Sequence, residues 1–394
     1  MILKIFSKIQ RPFRITFRLM LKCGRYLDEK IYSYTKKVRV LFVVSDAYGF
    51  SCQLPVIKEL ERYGKNKVFV GVTPDKAIPE NQVSVDERDA DIFHQFYVAN
   101  KRAQYMKWDL VVNTHLNGFY PRRRCLKGYM HHGPGFGILG NKVAIALKYD
   151  VFFGLSQHQK RIFEKVNPTI FKKNRKFYSV GFPKSDSAIN SRPDPFEILS
   201  DLGLGQKKTI LITSHWQDNS TLRRLGSLPF RMIAENFSDF NVIQTGHPWL
   251  WNDKTDIKWR EATLIQMKAI EDTCLNAKFL PYIQAEALLP LADLLVADQS
   301  SIMTTYSIYD KPIVFFDGPD TEFAVNEVGD LYRGASHSFG DIDGLVAACV
   351  NATESGVEKK EGRAAMRDFF YDNLGKASEI MAENILAIKS LNRP

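Results

Sequence analysis

Residues 38–46 read VRVLFVVSD, a nearly continuous apolar run that ends in a serine and an aspartate. Alternating apolar and polar residues are typical of a strand with one face in solvent. A continuous apolar run is typical of a strand buried on both faces of a parallel sheet. These residues therefore predict a buried parallel strand, followed by a polar loop at its carboxyl end.

Similar short runs follow along the chain, separated by longer mixed segments with helical character such as Leu54–Tyr63 and Leu222–Phe237. The predicted strands are Val38–Val44, Lys67–Val72, Leu110–Asn113, Lys127–Met130, Val151–Leu155, Phe177–Val180, Thr209–Thr213, Asn241–Gln244, Lys278–Leu280, Leu294–Ala297 and Pro312–Phe316. Residues 190–195 read NSRPDP and have the composition of a linker. The pattern predicts an α/β protein with two doubly wound, Rossmann-like parallel sheets, at residues 38–190 and 191–394.

Length and composition support this reading and exclude several other classes. A chain of 394 residues with 45% apolar and 25% charged residues fits two folded domains. The five cysteines form no CxxC pair, which argues against a zinc ribbon or disulfide framework and favours a reducing cytosol. No stretch approaches the roughly 18 uncharged apolar residues of a membrane-spanning helix, so an integral membrane protein is not expected.

The positive charge is concentrated at the N-terminus. The first 40 residues hold eleven lysine and arginine residues against Asp28 and Glu29, whereas the net charge of the whole chain is +10. The body is therefore nearly neutral. A nucleic-acid-binding protein normally carries a basic face on its folded body, so no nucleic acid is expected as a partner.

Within residues 1–37 the basic residues recur at close to helical spacing, and apolar residues occupy the opposite side. The basic stripe consists of Lys4, Lys8, Arg11, Arg14, Arg18, Lys22 and Arg25, and the apolar stripe of Ile2, Ile5, Phe6, Ile9, Phe13, Phe17 and Met20. This pattern predicts an amphipathic helix that binds an anionic membrane surface. The alternatives are a helix packed on its own protein and a mitochondrial presequence. A secretory signal fits poorly, because lysine or arginine interrupts the apolar residues.

Polar residues follow the predicted strands at the point where each strand ends. They are Ser45-Asp46, Asn113-Thr114-His115, His131-His132-Gly133, Gly181–Asp186, Ser214-His215, Thr245-Gly246-His247 and Asp298–Ser301. In open parallel sheets, ligands bind outside the carboxyl ends of the strands. Two such sheets predict two sites that face one cleft, as in a GT-B-type transferase.

These polar segments resemble the motifs of the CDP-glycerol glycerophosphotransferase family, which builds teichoic-acid linkages and related polymers. The resemblance lies in His132-Gly133, in Gly181–Asp186 (similar to a Gly-x-Pro-Arg-x-Asp element), in His247-Pro248, and in Asp298–Ser301 followed by Lys311–Phe316. Two positions depart from the family. Thr305 stands where an acidic residue is usual, and His215–Asp218 reads HWQD where the family has Thr-Trp-Arg-Asp.

The resemblance implies transfer of glycerol phosphate, or of a related polyol phosphate, from a CDP-activated donor such as CDP-glycerol. The acceptor would be a hydroxyl of a lipid-linked or membrane-associated glycan in teichoic-acid, capsule or lipopolysaccharide synthesis. The enzyme would lie at the cytoplasmic face of the membrane as a peripheral protein. The alternatives are a GT-B glycosyltransferase or epimerase-like enzyme that uses a sugar nucleotide, and a catalytically inactive membrane-bound relative.

The resemblance also distributes roles over the motif residues. His132, or its neighbour His131, would be the base on the acceptor side, since histidine accepts protons near neutral pH. The remaining acceptor-side candidates are Gly133, Asp46, His115, Lys184 and Asp186. His247 would contact the donor phosphates and stabilise the leaving nucleotide.

Further donor-side candidates follow three strands of the second sheet. Ser300 and Ser301 precede an apolar, helical run and are expected to contact the donor pyrophosphate, with His215 and Gly246 nearby and Asp298 orienting the loop. Pure helix capping is the alternative for the serines. Arg122–Arg124 is either a solvated charge run or a phosphate contact.

No set of residues has metal-ligand spacing, and neither a P-loop, a GxGxxG loop nor a GxSxG elbow occurs. No protein-held cofactor is therefore expected, although Mg²⁺ is compatible with the chemistry if the donor phosphates bind it.

Overall fold

The structure is a computed structural model that describes residues 22–75, 87–115, 121–133, 146–172, 174–190, 194–252, 255–355 and 357–392. Contacts between Cα atoms divide the chain into two units. The first comprises residues up to Asp186 together with those from Asp372 onward, and the second is Ser187–Tyr371. The C-terminal residues thus group with the first sheet and not with the domain predicted over 191–394. The apolar pattern of a helix does not say which sheet the helix covers.

The first unit contains one parallel sheet. Its strands are β1 (Val38–Val44), β2 (Val68–Pro74), β3 (Leu110–Asn113), β4 (Leu126–Met130), β5 (Val151–Gly154) and β6 (Lys176–Ser179). Its helices include α1 (residues 22–35), α2 (Ala47–Arg62), α3 (Glu87–Phe96), α4 (Asn100–Tyr105), α5 (Gln157–Val166) and α16 (Ala377–Asn392). The strand order is β2-β1-β3-β4-β5-β6, with every pair parallel. All seven residues of β1 are buried, which confirms the prediction for this strand.

The second unit contains another six-stranded sheet. Its strands are β7 (Thr209–Ile212), β8 (Asn241–Gln244), β9 (Ala277–Phe279), β10 (Leu294–Ala297), β11 (Ile313–Phe316) and β12 (His337–Phe339). The helices from the unit boundary onward are α6 (Asp186–Asn190), α7 (Pro195–Asp201), α8 (Thr221–Leu225), α9 (Leu228–Asn236), α10 (Ile257–Thr273), α11 (Ala285–Leu288), α12 (Ser301–Tyr306), α13 (Asn326–Ala335), α14 (Ile342–Glu354) and α15 (Lys360–Phe370). The strand order is β12-β11-β10-β7-β8-β9, again parallel throughout. The prediction of two doubly wound parallel sheets is confirmed.

Two elements of the second unit differ from the sequence prediction. The helix expected over Leu222–Phe237 is interrupted at Gly226, whose φ of 61° ends α8 before α9 begins. This conformation suits glycine because it lacks a Cβ. The edge strand β12 is absent from the predicted set, because it has three residues and only Phe339 among them is buried.

Only the last part of the predicted basic helix lies among the described residues, and residues 1–21 lie outside them. The described part, α1, packs on the first unit. The Asp28 carboxylate accepts hydrogen bonds from the Arg39 guanidinium at 2.5 Å, the Arg123 guanidinium at 3.1 Å and the Lys107 amide at 2.7 Å. Glu29 also pairs with Arg123. Arg39, counted above as part of a basic tail, is therefore a buried residue of β1 with an acidic partner.

The opposite side of α1 faces solvent and is apolar. Tyr26, Leu27, Ile31 and Tyr34 are 62%, 60%, 55% and 89% exposed. Helical spacing places these four residues, with Lys30, on one face, away from the acidic residues that bind the unit. Among the described helices, none combines the length and hydropathy needed to cross a bilayer.

Candidate active site

Two histidines of the first unit lie face to face at the carboxyl ends of adjacent strands. His115 follows β3 and His132 follows β4, and these strands pair directly in parallel register. Their imidazole rings are stacked, with centroids 4.6 Å apart and planes inclined by 12°. The strand order thus brings together two of the predicted acceptor-side residues.

A backbone hydrogen bond defines the tautomer of His132. Its Nδ1 lies 2.8 Å from the carbonyl oxygen of Thr114. A carbonyl oxygen only accepts, so Nδ1 carries the hydrogen and donates it. In the neutral ring, Nε2 then holds the lone pair, which is the arrangement that a general base requires.

His115 is held from both of its ring nitrogens. Nε2 lies 3.4 Å from the Asp46 carboxylate, and Nδ1 lies 3.2 Å from the Thr114 hydroxyl. Asp46 also caps α2, where it accepts from the Gly49 amide at 2.6 Å. A Cβ on Gly49 would come within 2.8 Å of the Thr114 hydroxyl oxygen, so glycine is needed for this close approach.

His131 occupies a different environment from its neighbour. It is 5% exposed and packs against Tyr129 and Phe163, with ring centroids 5.0 and 5.9 Å away. Burial, with a smaller contribution from the adjacent His132, lowers the pKa of His131 to about 3. Its Nε2 has no hydrogen-bond partner among the described residues. Between the two candidates for the base, the geometry therefore favours the more exposed His132.

The Gly181–Asp186 element has a structural role in addition to its position at the end of β6. The Asp186 carboxylate accepts hydrogen bonds from the amides of Ala377 and Ser378 at 3.1 and 2.8 Å, and from the Ser378 hydroxyl. It thus caps α16, and its acceptor-side role stays a prediction. Lys184 stays near the candidate site, with its ammonium 3.7 Å from the ring centroid of Tyr48 in the first turn of α2.

The remaining first-unit candidates are placed as follows. Gly133 directly follows His132 and is partly exposed. Arg123, in the Arg122–Arg124 run, pairs with Asp28 and Glu29 of α1 and so serves to hold that helix. Arg122 and Arg124 are exposed, as expected for a solvated charge run.

In the second unit, a buried carboxylate organises the ends of β7 and β10. Asp298 is 1% exposed and accepts from the Ser214 hydroxyl, the His215 amide and the Thr221 amide, each at 2.9 Å. Burial raises the pKa of Asp298, and these hydrogen bonds act in the opposite direction. With all these contacts inside the protein, Asp298 orients the loops, which is the role expected from the sequence.

Two histidines lie in the loops that follow the neighbouring strands β7 and β8. The His215 and His247 ring centroids are 5.4 Å apart. Nδ1 of His247 accepts from the Trp249 amide at 3.1 Å, so Nε2 carries the hydrogen. Burial lowers the pKa of His247 to about 4, with His215 adding to the effect. Burial also lowers the pKa of His215, against the opposing charge of Asp298. A lowered pKa favours the neutral form of each ring, and in His247 the Nε2–H is then free to donate.

A backbone hydrogen bond joins the loops after β7 and β8. The His247 amide donates to the Ser214 carbonyl at 2.8 Å. A Cβ on Gly246 would lie 2.8 Å from a Leu250 methyl group and 3.5 Å from the same carbonyl oxygen. The tight packing at Gly246 is therefore against Leu250, whereas the approach to the Ser214 carbonyl leaves room for a Cβ.

The two serines after β10 differ in their surroundings. Ser300 precedes α12 in an extended conformation, but its hydroxyl does not cap the helix. That hydroxyl is buried, and no described residue takes up its hydrogen bond, which argues against pure capping. Ser301 begins the helix and is partly exposed. Thr305, where the family usually has an acid, is buried and donates to the Ser301 carbonyl at 3.1 Å.

An aromatic pair beside His247 is missing from the predicted set. Trp249 is 40% exposed, and its ring centroid lies 4.9 Å from that of Trp216 and 5.6 Å from that of His247. The sequence feature that could have identified the pair is its position next to the two histidines: Trp216 directly follows His215, and Trp249 follows His247 by two residues. Gly49 is also missing, and Thr114 is named in a strand-end segment without a role, because the roles of both depend on contacts between distant loops.

No group of three or more His, Cys, Asp or Glu side chains among the described residues is placed to hold a metal ion.

Comparisons with known proteins agree with the motifs and the fold. A family model described as CDP-Glycerol:Poly(glycerophosphate) glycerophosphotransferase matches residues 127–386. No curated protein sequence matches the chain. The structure of the wall teichoic acid polymerase TagF is similar with a TM-score of 0.64 at 18% identity, covering 91% of this chain and 90% of that one.

Two further solved structures are similar. A TagF variant soaked with CDPG matches with a TM-score of 0.62 at 18% identity, covering 97% of this chain and 98% of that one. A UDP-N-acetylglucosamine 2-epimerase matches with a TM-score of 0.59 at 14% identity, covering 91% and 98%. At these identities the likeness shows the fold, and it confirms the predicted GT-B-like class.

Proposed function

The chain belongs to the CDP-glycerol:poly(glycerophosphate) glycerophosphotransferase family and is thus a transferase of glycerol phosphate from a CDP-activated donor, and we propose that its acceptor is a hydroxyl of a membrane-associated glycan. The similarity to the wall teichoic acid polymerase TagF supports a teichoic-acid-like polymer as the product.

In the proposed reaction, an oxygen of the acceptor attacks the phosphorus that bears the glycerol. The acceptor O–H proton passes to Nε2 of His132, a new O–P bond forms, and the bond from phosphorus to the CMP oxygen breaks, so that CMP leaves. The observation that carries this assignment is the 2.8 Å hydrogen bond from Nδ1 of His132 to the Thr114 carbonyl. It keeps Nε2 in the proton-accepting form.

The second unit supplies the groups proposed to bind the donor. Nε2–H of His247 and of His215 would donate to phosphate oxygens, and the Ser300 and Ser301 hydroxyls would add further donors. Donors fixed by their surroundings stabilise the charge that develops on the leaving phosphate. The hydrogen bond from the Trp249 amide to His247 supports this role, because it keeps the Nε2 hydrogen available. We also propose that Mg²⁺ binds through the donor phosphates. Measuring the rate of CMP release with and without EDTA tests this.

We place the enzyme at the cytoplasmic face of the membrane as a peripheral protein, with α1 and the residues before it on an anionic lipid surface. The exposed apolar face of α1 supports this location. Asp28 and Glu29, the acids of the first 40 residues, are both engaged by the first unit and leave that face without negative charge. Apolar insertion and electrostatic attraction would then act together.

A panel of CDP-polyols and UDP-sugars, scored for nucleotide release with a glycan acceptor, tests the proposal. We expect CMP to be released from CDP-glycerol and to require the acceptor. Release of UDP from UDP-sugars, with no turnover of CDP-polyols, would instead identify a glycosyltransferase or epimerase. Donor binding without any turnover would identify an inactive relative.

A further inference from the structure

We propose that His115 is a positioning residue for His132, and that its ring face, backed by Asp46, stabilises His132 once this residue has taken the acceptor proton. The inference rests on the proposed function, and it adds a second histidine and a carboxylate to the base.

The geometry restrains His132 in two independent ways. The Thr114 carbonyl binds Nδ1 and thereby fixes the direction in which Nε2 points. The His115 ring lies parallel to the His132 ring at 4.6 Å and restricts its tilt out of that plane. A base held in one orientation needs less reorganisation when the acceptor hydroxyl arrives.

In the neutral ring of His115, the neighbouring groups favour the tautomer with the hydrogen on Nε2. Nε2–H donates toward Asp46 at 3.4 Å, while Nδ1 accepts from the Thr114 hydroxyl at 3.2 Å. A neutral aromatic ring presents the negative face of its π-system to the adjacent ring. When His132 becomes an imidazolium, this face attracts the new charge, as in other cation–π contacts.

Three other titratable groups near His132, namely His131, Cys52 and Asp46, are placed differently from the His115 ring. His131 is buried and neutral. The Cys52 thiol donates to the His132 carbonyl at 3.6 Å, on the backbone and not on the ring. Asp46 acts through His115, and it is half exposed, with 52% of its side chain accessible.

The proton balance of the step is simple. The proton of the acceptor hydroxyl moves to Nε2 of His132 as the O–P bond forms, and His132 leaves the step as an imidazolium. His115 keeps its own hydrogen throughout and takes none from His132. Solvent removes the proton from His132 after CMP has left.

The test distinguishes the effect of the stacked His115 ring from the effect of the Asp46 charge beside it. We compare His115→Phe, which keeps an aromatic face, His115→Ala, which removes it, and Asp46→Asn, which removes the charge. His94→Ala serves as the matched control, because His94 is exposed on α3. For each variant, kcat and KM for CMP release from CDP-glycerol are measured from pH 5 to 9, with thermal melts to confirm folding.

For His115→Ala we expect kcat to fall by roughly 3- to 30-fold, with the donor KM unchanged. The acidic limb of the pH profile should move to lower pH, because the imidazolium of His132 is less stabilised and protonates less readily. His115→Phe should recover most of kcat, and Asp46→Asn should shift the limb in the same direction as His115→Ala. A purely structural role for His115 would not move the limb.

Three results would overturn the inference. The first is a wild-type rate and pH limb in folded His115→Ala, and the second is a His115→Phe rate as low as that of His115→Ala. The third is a wild-type rate in His132→Ala, which would also remove the base from the proposed function. Loss of activity in His132→Ala with wild-type behaviour of the His115 variants would leave the proposed function intact and overturn this inference alone.

Discussion

At the scale of single residues, His132→Ala tests the base directly. Loss of a general base typically slows a reaction by about 10²–10⁴-fold. We expect a reduction in kcat of this size, with the KM for CDP-glycerol nearly unchanged, because the donor contacts are assigned to the second unit. Steady-state CMP release measures both constants, and His94→Ala again controls for the substitution itself. Unchanged kcat in a folded His132→Ala protein would contradict the assignment.

His247→Ala should fail differently from His132→Ala. Removing the Nε2–H donor should raise the Kd of CDP-glycerol as well as slow the reaction, by roughly 1–3 kcal/mol of binding free energy if one hydrogen bond to a buried phosphate is lost. His247→Gln, which retains an N–H donor, should recover part of the affinity.

The pH dependence of donor binding is a further check on His247. Because burial lowers the pKa of His247 to about 4, the ring is neutral above that value. Affinity should therefore be flat from pH 6 to 8. Titration calorimetry measures it, and a steep change near pH 6.5 would show that His247 binds as a cation.

His131 should contribute to the pH dependence of stability. Its pKa is lowered from 6.5 to about 3 in the folded protein, so below pH 6.5 the unfolded chain binds more protons than the folded one. Stability must then fall as the pH falls from 6.5 towards 3, by about 1–2 kcal/mol at pH 5 from this residue. Urea unfolding at pH 7 and pH 5 should show a smaller difference for His131→Phe than for the wild type. Equal differences would mean that His131 is accessible to protons in the folded state.

The sequence identifies residues better than it identifies their contacts. His132 and His247 stand out because each follows an apolar run at the end of a strand. The stacking of His115 on His132 depends on β3 and β4 being neighbours, which strand-end composition does not reveal. The helix cap that Asp186 provides is not predicted for the same reason, since the amide of Ala377, from which it accepts, lies 191 residues further along the chain.

At the scale of elements, substitutions on the two faces of α1 should have different effects. Those on the exposed face should change membrane binding, and those on the packed face should change stability. The triple variant Tyr26→Ser, Leu27→Ser, Ile31→Ser removes exposed apolar side chains and should weaken binding to anionic vesicles without changing thermal stability. Asp28→Asn, on the packed face, should lower thermal stability because Arg39 is buried and loses its charged partner. Vesicle sedimentation at physiological salt and thermal melts measure the two effects. Equal vesicle binding by the triple variant and the wild type would exclude this face as the membrane contact.

The strands were predictable because most of them are buried on both faces. Residues Val38–Val44, Leu110–Asn113, Asn241–Gln244 and Leu294–Ala297 have the predicted bounds, and every residue in them is buried. Helix boundaries were harder. The pattern of residues 222–237 stays compatible with one helix through Gly226, and only the positive φ of that glycine reveals the break.

At the scale of the whole molecule, the return of the chain to its first unit has a testable consequence. Asp186 caps α16, the Asp372 carboxylate accepts from the Ser179 hydroxyl at 2.5 Å and the Gln157 amide at 3.1 Å, and Gly181 lies against the Asp372 carbonyl. All of these contacts lie within the first unit. Buried acceptors and apolar surface left without partners are costly.

Truncation after Tyr371 should therefore destabilise the sheet of the first unit, although the second unit directly precedes the removed residues in the sequence. We expect faster amide hydrogen exchange in β5 and β6, while β7 and β10 keep their protection, because stability is lost locally in the unit whose contacts are removed. Asp186→Asn should produce a milder version of the same pattern, since it weakens the cap without removing the helix. Hydrogen exchange followed by mass spectrometry resolves the two units. Loss of protection from hydrogen exchange centred on Thr209–Ile212 would mean that the C-terminal residues stabilise the second unit, as the domain predicted over residues 191–394 implies.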